Sequence, residues 1–463
     1  MLFDTPVYFL FLTLIVLLYW RAGWLNQNRL LLVASCFFYG WWDWRFLLLM
    51  LSSATVDFIL AQKIADSGNP AARRSMLIFS LVLNFGFLGV FKYYNFFAGS
   101  LAASLGSVGI TTSLPILMIV LPPGISFYTF QEVAYIVDVY FRKLEPSRRF
   151  VDYALFICLF PHLIAGPIQR PSHLLPQVQN PRRFEAEKFF AGLMLILIGL
   201  FRKTVIADNA ANIANAAFGG KLGHNFGATA IGVLAFALQI YGDFSGYSDI
   251  ARGSAQLLGF HFMVNFRQPY LASSLQDFWR RWHVSLSTWL RDYLYIPLGG
   301  NRLGVQRTYF NLMATMLLGG LWHGANWTFV IWGGLHGCWL AVERIFGRKE
   351  PSDRFSPIGW LVTMLIVGLS WLFFRARDIT QAMAMLGDMK ALTWRPEFLP
   401  ISTYLAGLIV VVLALDLRLN LCDEEYPFEK ANPAFAMAAV AVLSAANVFL
   451  GAMDINAFIY FQF

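Results

Sequence analysis

The sequence predicts an all-α polytopic membrane protein, with about eleven transmembrane helices and further re-entrant or interfacial helices around an internal cavity. Three observations carry that prediction. Of 463 residues, 58% are hydrophobic and only 13% charged, where a soluble domain carries about a quarter charged residues. Mean hydropathy is +0.56. Apolar stretches recur along the whole chain, with no soluble insertion long enough to form a separate domain, so residues 1–463 are read as one membrane domain.

In chain order, the first stretch is "PVYFLFLTLIVLLYW" (6–20). Only Asp4 is charged before it, and no small-residue cleavage site follows, so it reads as a retained span rather than a signal peptide. "MLIFSLVLNFGFLGVF" (76–91), "FFAGLMLILIGLF" (189–201), "IGWLVTMLIVGLSWLFF" (358–374), "YLAGLIVVVLAL" (404–415) and "AFAMAAVAVLSAANVFL" (435–451) follow. A span needs about 20 mostly apolar residues, and aromatic or small polar flanks extend the shorter runs. Between spans, basic residues cluster in 21–29 (Arg21, Arg29), 63–74 (Lys63, Arg73, Arg74) and 142–149 (Arg142, Lys143, Arg148, Arg149). Counting spans puts all three clusters on one side, which the positive-inside rule makes cytoplasmic. The net charge of +8 therefore follows topology, with membrane lipids rather than nucleic acid as the partner.

Two regions do not read as simple spans. Residues 161–183 hold five prolines and cannot form one straight helix. Residues 241–345 mix polar and apolar side chains. Irregular backbone at membrane depth persists only where protein covers it or a wet cavity runs beside it, which is the reason to expect an internal cavity.

Three histidines of that second region, His283, His323 and His336, are candidates for chemistry. His283 lies in "DFWRRWHVSLSTWLRDYLY" (277–295). On one helix Asp277 and Arg281 pair, and Trp279 and His283 share a face. The stretch fits an interfacial helix whose arginines snorkel to headgroups, and equally a cavity mouth where Arg280, Arg281 and Arg291 meet an anionic ligand. His323 lies in "GGLWHGANW" (319–327) among glycines that permit close backbone approach. An ionisable ring at membrane depth marks a pathway or an active site, against the alternative of a hydrogen-bonded packing histidine. His336 is thirteen residues further on, about 220° round a continuous helix from His323, and so reads as packing behind the site. "YGDFSGYSD" (241–249) sets Asp243 and Asp249 beside serines, either as support for a catalytic histidine or as the cation site of a transporter.

Other chemistries lack their motifs. No G-x-S-x-G elbow, Walker A, H-E-x-x-H or G-x-G-x-x-G occurs. The cysteines, Cys36, Cys158, Cys338 and Cys422, form no C-x-x-C pair, and no metal site is expected.

The stretches "LPPGISFYTFQ" (121–131), "FPHLIAGPI" (160–168), "FSGYSDIA" (244–251), "DFWRRWHVSLSTWLRDYLYIPLGGNR" (277–302) and "LLGGLWHGANWTFVIWGGLHG" (317–337) resemble the membrane-bound O-acyltransferase (MBOAT) family. Within it they are most similar to the branch holding the membrane subunit of bacterial alginate O-acetyltransferases. The resemblance runs to about residue 378 and beyond that rests on hydrophobicity alone. It implies a conical membrane body with a tunnel to the essential histidine, which maps to His323, while the family's second polar position maps to His283. On that reading His323 is a general base for acyl transfer, and His283 orients the reactants or donates to the developing oxyanion. Arg280, Arg281, Arg291, Trp322 and Asn326 would contact donor or substrate, and His336, Asp243 and Asp249 would stand behind them.

The resemblance further implies acetyl-CoA as acyl donor with no bound cofactor, a bacterial inner-membrane location, and relay of acetyl to a periplasmic acetyltransferase partner that modifies an alginate-like or cellulose-like exopolysaccharide. Three rivals stand beside it: D-alanyl transfer to teichoic acid, a transporter or flippase that uses Asp243 and Asp249, and a scaffold that only anchors a periplasmic enzyme, which leaves the two-histidine arrangement without an explanation.

Overall fold

The computed structural model describes residues 1–164, 166–347, 355–390, 392–452 and 456–459, apart from the side chain of Pro433. All regular structure among these residues is helical. They form two compact units, Met1–Gly192 with Ala251–Met263, and Leu193–Ile250 with Val264–Phe463.

The first unit contains α1 (Pro6–Tyr19), α2 (Trp24–Gly40), α3 (Trp44–Asp66) and α4 (Pro70–Leu88), the last running through a π-helical turn into α5 (Tyr94–Ser107). It continues with α6 (Ile125–Tyr140), α7 (Phe150–Cys158), α8 (Phe160–Leu163) and α9 (Pro171–Gln179). Side-chain caps set the starts of α3 and α4. Asp43 accepts from Arg45 N, and Asn69 accepts from Ala71 N, with Pro70 in the first helical position where its missing N–H costs nothing. The proline-rich segment breaks as expected, into the single turn of α8 and the short α9. Helices α3, α4 and α6 pack on one another, and α2 packs on α7.

The three basic stretches meet their neighbours within this unit. Arg148 pairs with Asp66 at 2.8 Å, Arg73 donates to the Tyr140 carbonyl, and the Arg149 guanidinium lies 5.4 Å from the Trp24 ring centre.

Helices α10 (Ala186–Leu200) and α12 (Phe226–Leu257) divide between the units. The second unit adds α11 (Asp208–Phe218), α13 (Leu275–Arg281), α14 (Val284–Leu290), α15 (Val305–His323), α16 (Trp327–Ile345), α17 (Pro357–Arg375), α18 (Ile379–Asp388), α19 (Leu399–Cys422) and α20 (Pro433–Leu450). Among the described residues, six helical segments are long and apolar enough to cross a membrane: α3, α4 with α5, α10 with α11, α12, α17, and Pro396–Cys422.

The structure departs from expectation at 241–257. This stretch is the second half of the continuous 32-residue α12. A helix tolerates its aspartates because α10 and the π-helical turn after it bring Arg202 to Asp249 at 2.5 Å and Lys203 to Asp243 at 2.9 Å. Gly199 and Gly246 make that approach possible, since a Cβ on Gly199 would lie 2.6 Å from the Gly246 carbonyl oxygen.

Candidate active site

The site belongs to the second unit and begins with the hairpin of α15 and α16, which pack closely on each other. Gly320 and Gly333 face that contact, and a Cβ on either would overlap the backbone of the opposite helix, at Phe329 and Met316 respectively. The glycines around His323 thus serve helix–helix approach. Helix α15 ends at His323, the chain turns at Gly324, and Asn326 caps α16 by accepting from Thr328 N. The two helices are separate, so the continuous-helix geometry expected to relate His323 to His336 does not apply. Asn326 also donates to the Arg377 carbonyl at 2.9 Å, so both ends of its amide hold elements together.

His283 brings a second correction. The stretch 277–295 is not one helix: α13 stops at Arg281, and His283 adopts a left-handed backbone with φ of +43° before α14 starts. That conformation is unfavourable for a residue with a Cβ and persists only where surrounding contacts impose it. Here Val284 N donates to the Asn265 carbonyl at 2.9 Å, and Arg267 N donates to the Arg281 carbonyl at 2.9 Å. A neighbouring segment thereby takes one donor, Val284 N, and one acceptor, the Arg281 carbonyl, that a continuing helix would use. Asp277 and Arg281 do pair across one turn, at 3.0 Å.

The break gives His283 a defined tautomer. Asn265 Oδ1 accepts from Ser285 N at 3.2 Å and from Ser285 Oγ at 2.9 Å, while Asn265 Nδ2 donates to Ser248 Oγ at 3.2 Å. The atom facing His283 Nδ1 at 3.2 Å is thus an oxygen acceptor, so Nδ1 carries the hydrogen and Nε2 carries the lone pair. Ser248 lies in the "FSGYSD" stretch, so this segment reaches His283 through a serine and an asparagine. Asn265 itself escaped the sequence reading. Its one local signal is a lone amide in the apolar run "FMVNF".

The two histidine rings lie 6.5 Å apart, both buried. Around His323 stand Trp322 and Trp332, each at 5.1 Å, and Phe374 at 5.3 Å, all edge to face. His283 contacts Phe244 at 4.6 Å and Trp322 at 6.0 Å. These rings give both histidines low-polarity surroundings, in which electrostatic interactions are stronger than in water.

His323 lines a cavity of about 350 Å³ with Trp279, Met316, Gly319, Trp332 and, toward its charged end, Glu343, Arg344 and Arg291. Neither His283 nor Trp322 lines it. A second cavity, of about 820 Å³, is lined by Arg267, Arg280, Arg281, Arg291 and Lys430 together with acidic residues of 423–429. Arg291 lines both. Of the three arginines singled out from the sequence, Arg280 lines this second cavity, Arg281 pairs with Asp277 across one helical turn, and Arg291 pairs with its chain neighbour Asp292 at 2.7 Å. Glu343 was also missed. Its carboxylate accepts from Leu275 N and Gln276 N and so anchors the start of α13 beside the cavity.

His336 is behind Trp332, at 4.7 Å ring to ring. Trp279 Nε1 donates to its Nδ1 at 3.2 Å, so its Nε2 donates to Ser370 Oγ at 2.9 Å, and Ser370 in turn donates to the Val367 carbonyl. Both ring nitrogens bind α13 and α17. Asp243 and Asp249 also stand away from the cavity lining, each against a buried cation, with Ile459 N donating to Asp243 at 2.7 Å.

The profile of the membrane-bound O-acyltransferase family matches residues 141–374. The chain is 44% identical over 393 residues to the probable alginate O-acetylase AlgI of Pseudomonas putida, covering 84% of this chain and 80% of that protein. It is 37% identical over 427 residues to the peptidoglycan O-acetyltransferase of Helicobacter pylori, covering 85% and 80%. It is also similar to the teichoic acid D-alanyltransferase of Bacillus subtilis, at 27% over 264 residues, covering 54% and 66%.

Proposed function

This chain belongs to the membrane-bound O-acyltransferase family, and from that premise we propose that it takes an acetyl group from cytoplasmic acetyl-CoA and passes it across the inner membrane for O-acetylation of an exopolysaccharide. As an O-acyltransferase and multi-pass membrane protein, it needs a tunnel for the acyl group. We read about eleven crossings, the shorter helices completing the six long ones. A periplasmic acetyltransferase is the proposed partner that receives the acetyl group. The two most similar relatives named above both act on saccharide polymers by their names, which favours acetyl over the D-alanyl cargo of the more distant one.

The observation that carries this reading is the cavity wall: His323 faces the space where a narrow acyl donor would lie, 6.5 Å from His283. In the proposed reaction an acceptor hydroxyl attacks the thioester carbonyl. His323 removes the hydroxyl proton, the C–S bond breaks, and the proton passes to the leaving thiolate. A neutral imidazole is suited to both transfers. In the tautomer set by Asn265, His283 is a proton acceptor at Nε2. That favours a part in proton handling over donation to the oxyanion.

The pairing of Asp243 and Asp249 with Lys203 and Arg202 supplies each carboxylate with a fixed counter-charge, which counts against a transporter that would load a cation there. The experiment is to replace His323 by Ala and by Gln and to measure polymer acetyl content per unit of membrane protein. General-base catalysis contributes about 10²–10⁴-fold, so both variants should make almost no product at normal abundance. Robust acetylation by His323→Gln, which cannot take the proton, would overturn the proposal.

A further inference from the structure

The first unit buries two carboxylates that acyl transfer does not use. Asp57 on α3 and Glu132 on α6 are each 0% exposed, and the two interact electrostatically across the contact of those helices. Among the described residues neither has a lysine, arginine or histidine partner. Two bare negative charges in such a place would cost several kcal/mol each, so one of them must be neutralised.

The hydrogen bonds say which. Asp57 accepts from two donors, Ser80 Oγ to Oδ1 at 2.5 Å and Asn84 Nδ2 to Oδ2 at 2.8 Å. That is the environment of a carboxylate anion. Among the described residues Glu132 has one hydrogen-bonding neighbour, Ser53 Oγ, at 3.0 Å from Oε1. Ser53 has a single hydroxyl proton, and Oγ also lies 3.0 Å from the Met50 carbonyl, which can only accept. If Ser53 donates to Met50, the hydrogen between Ser53 and Glu132 must come from Glu132. The other glutamate oxygen, Oε2, is buried without a hydrogen-bond partner, which a neutral acid tolerates far better than an anion. Beside the pair lies the Tyr153 hydroxyl, on α7, also fully buried, without a hydrogen-bond partner and within electrostatic reach of both carboxylates.

We propose that Asp57 and Glu132 form a proton-binding site within the first unit, with the proton held on Glu132 Oε1 and donated to Ser53, and with Asp57 as the anion of the pair. The other titratable groups that sense the pair are the phenols Tyr128, near Glu132, and Tyr135, near Asp57. Charged groups on the neighbouring elements have partners elsewhere: Lys92 with Ser126 Oγ, Asp152 with Asn28 and Arg149, and Asp66 with Arg148. Two inequivalent carboxylates, one donor-rich and one donor-poor, are the arrangement by which a protein holds one proton at neutral pH. Ionisable pairs within membrane-spanning helices characteristically mark proton or ion pathways.

The test is infrared spectroscopy of the full-length protein in lipid nanodiscs at neutral pH, reading the carboxylic-acid C=O band and its shift on exchange into D₂O. Glu132→Gln should remove one carboxyl's intensity, and Asp57→Asn should leave that intensity in place. Ser53→Ala deletes the acceptor and should move the wild-type band to higher frequency, a readout that stands even if Glu132→Gln fails to fold. Absence of a carboxylic-acid band in the wild type, or its survival undiminished in folded Glu132→Gln, would overturn the proposal. So would loss of the wild-type band when sodium chloride replaces an organic-cation chloride, because the occupant would then be a metal cation.

Discussion

Asn265 Oδ1 accepts the Nδ1 hydrogen of His283 at 3.2 Å, and the same oxygen holds Ser285 through its backbone and hydroxyl. One amide therefore fixes both the left-handed turn that presents His283 and the nitrogen that bears its lone pair. Removing that amide should disorder a histidine without touching it. Asn265→Leu is expected to lower acetyl transfer about 10²-fold, the usual cost of a small misplacement in an active site. Asn265→Asp keeps the acceptor oxygen and should retain more activity. Equal loss in both variants, measured per unit of folded protein, would show that Asn265 acts only through Ser248.

Arg291 lines both cavities of the second unit, whereas Arg281 is committed to Asp277. If a phosphorylated donor lies along that route, Arg291→Ala should raise donor KM about tenfold, equivalent to about 1.4 kcal/mol of binding. Arg281→Ala should cost no more than about 0.5 kcal/mol of stability, as expected for a partly exposed pair one helical turn apart. Steady-state kinetics with thermal unfolding in detergent separates the two.

The hairpin of α15 and α16 has no room for a methyl group at Gly320. Gly320→Ala is expected to destabilise the protein by about 1–3 kcal/mol through overpacking. The loss in activity should follow the loss of folded protein. Gly334, whose added Cβ would make only an ordinary contact at 3.6 Å with Leu317 Cδ2, is the control.

Lys203 is buried between Asp208 at 2.8 Å and Asp243 at 2.9 Å. Lys203→Met leaves two buried carboxylates without their cation and should cost about 3–5 kcal/mol, read as a large fall in unfolding temperature or as failure to accumulate. A near-normal unfolding temperature would mean that water reaches this cluster.

The loops carrying Gly68 and Glu145 are exposed and adjoin the Asp66–Arg148 pair. In a background where Cys338 and Cys422 are replaced by serine, since both are exposed, Gly68→Cys and Glu145→Cys should resist an impermeant thiol reagent in intact cells and react after permeabilisation. Labelling of either in intact cells would reverse the cytoplasmic orientation that the basic clusters imply.

Much of this was legible in the chain. Composition and apolar runs point to an all-helical membrane protein, because lipid admits only helices and closed barrels, and long continuous apolar runs are helical rather than the short alternating segments of barrel strands. The proline count around 161–183 requires a broken segment, and the chain breaks there into two short helices. His283 and His323 are visible as rare ionisable rings in a sequence poor in charge. Sequence also pairs Asp277 with Arg281, since that contact depends only on one helical turn.

What the sequence could not give is whatever depends on a distant partner. Residues 277–295 carry a helical pattern, yet the helix breaks at His283 because Asn265, eighteen positions earlier, offers its backbone and side chain better partners. Asp243 and Asp249 look like an ion site until Arg202 and Lys203 arrive from the preceding helix. His336 reads from the sequence as packing behind the site, but its two partners, Trp279 and Ser370, come from distant helices that the sequence does not connect to it. Local propensity and patterning act over a few residues, and so they write helices into the sequence. The tautomer of a histidine, the counter-charge of a carboxylate and the wall of a cavity are decided by which side chains packing brings within about 3 Å, and that distance exists only in the folded chain.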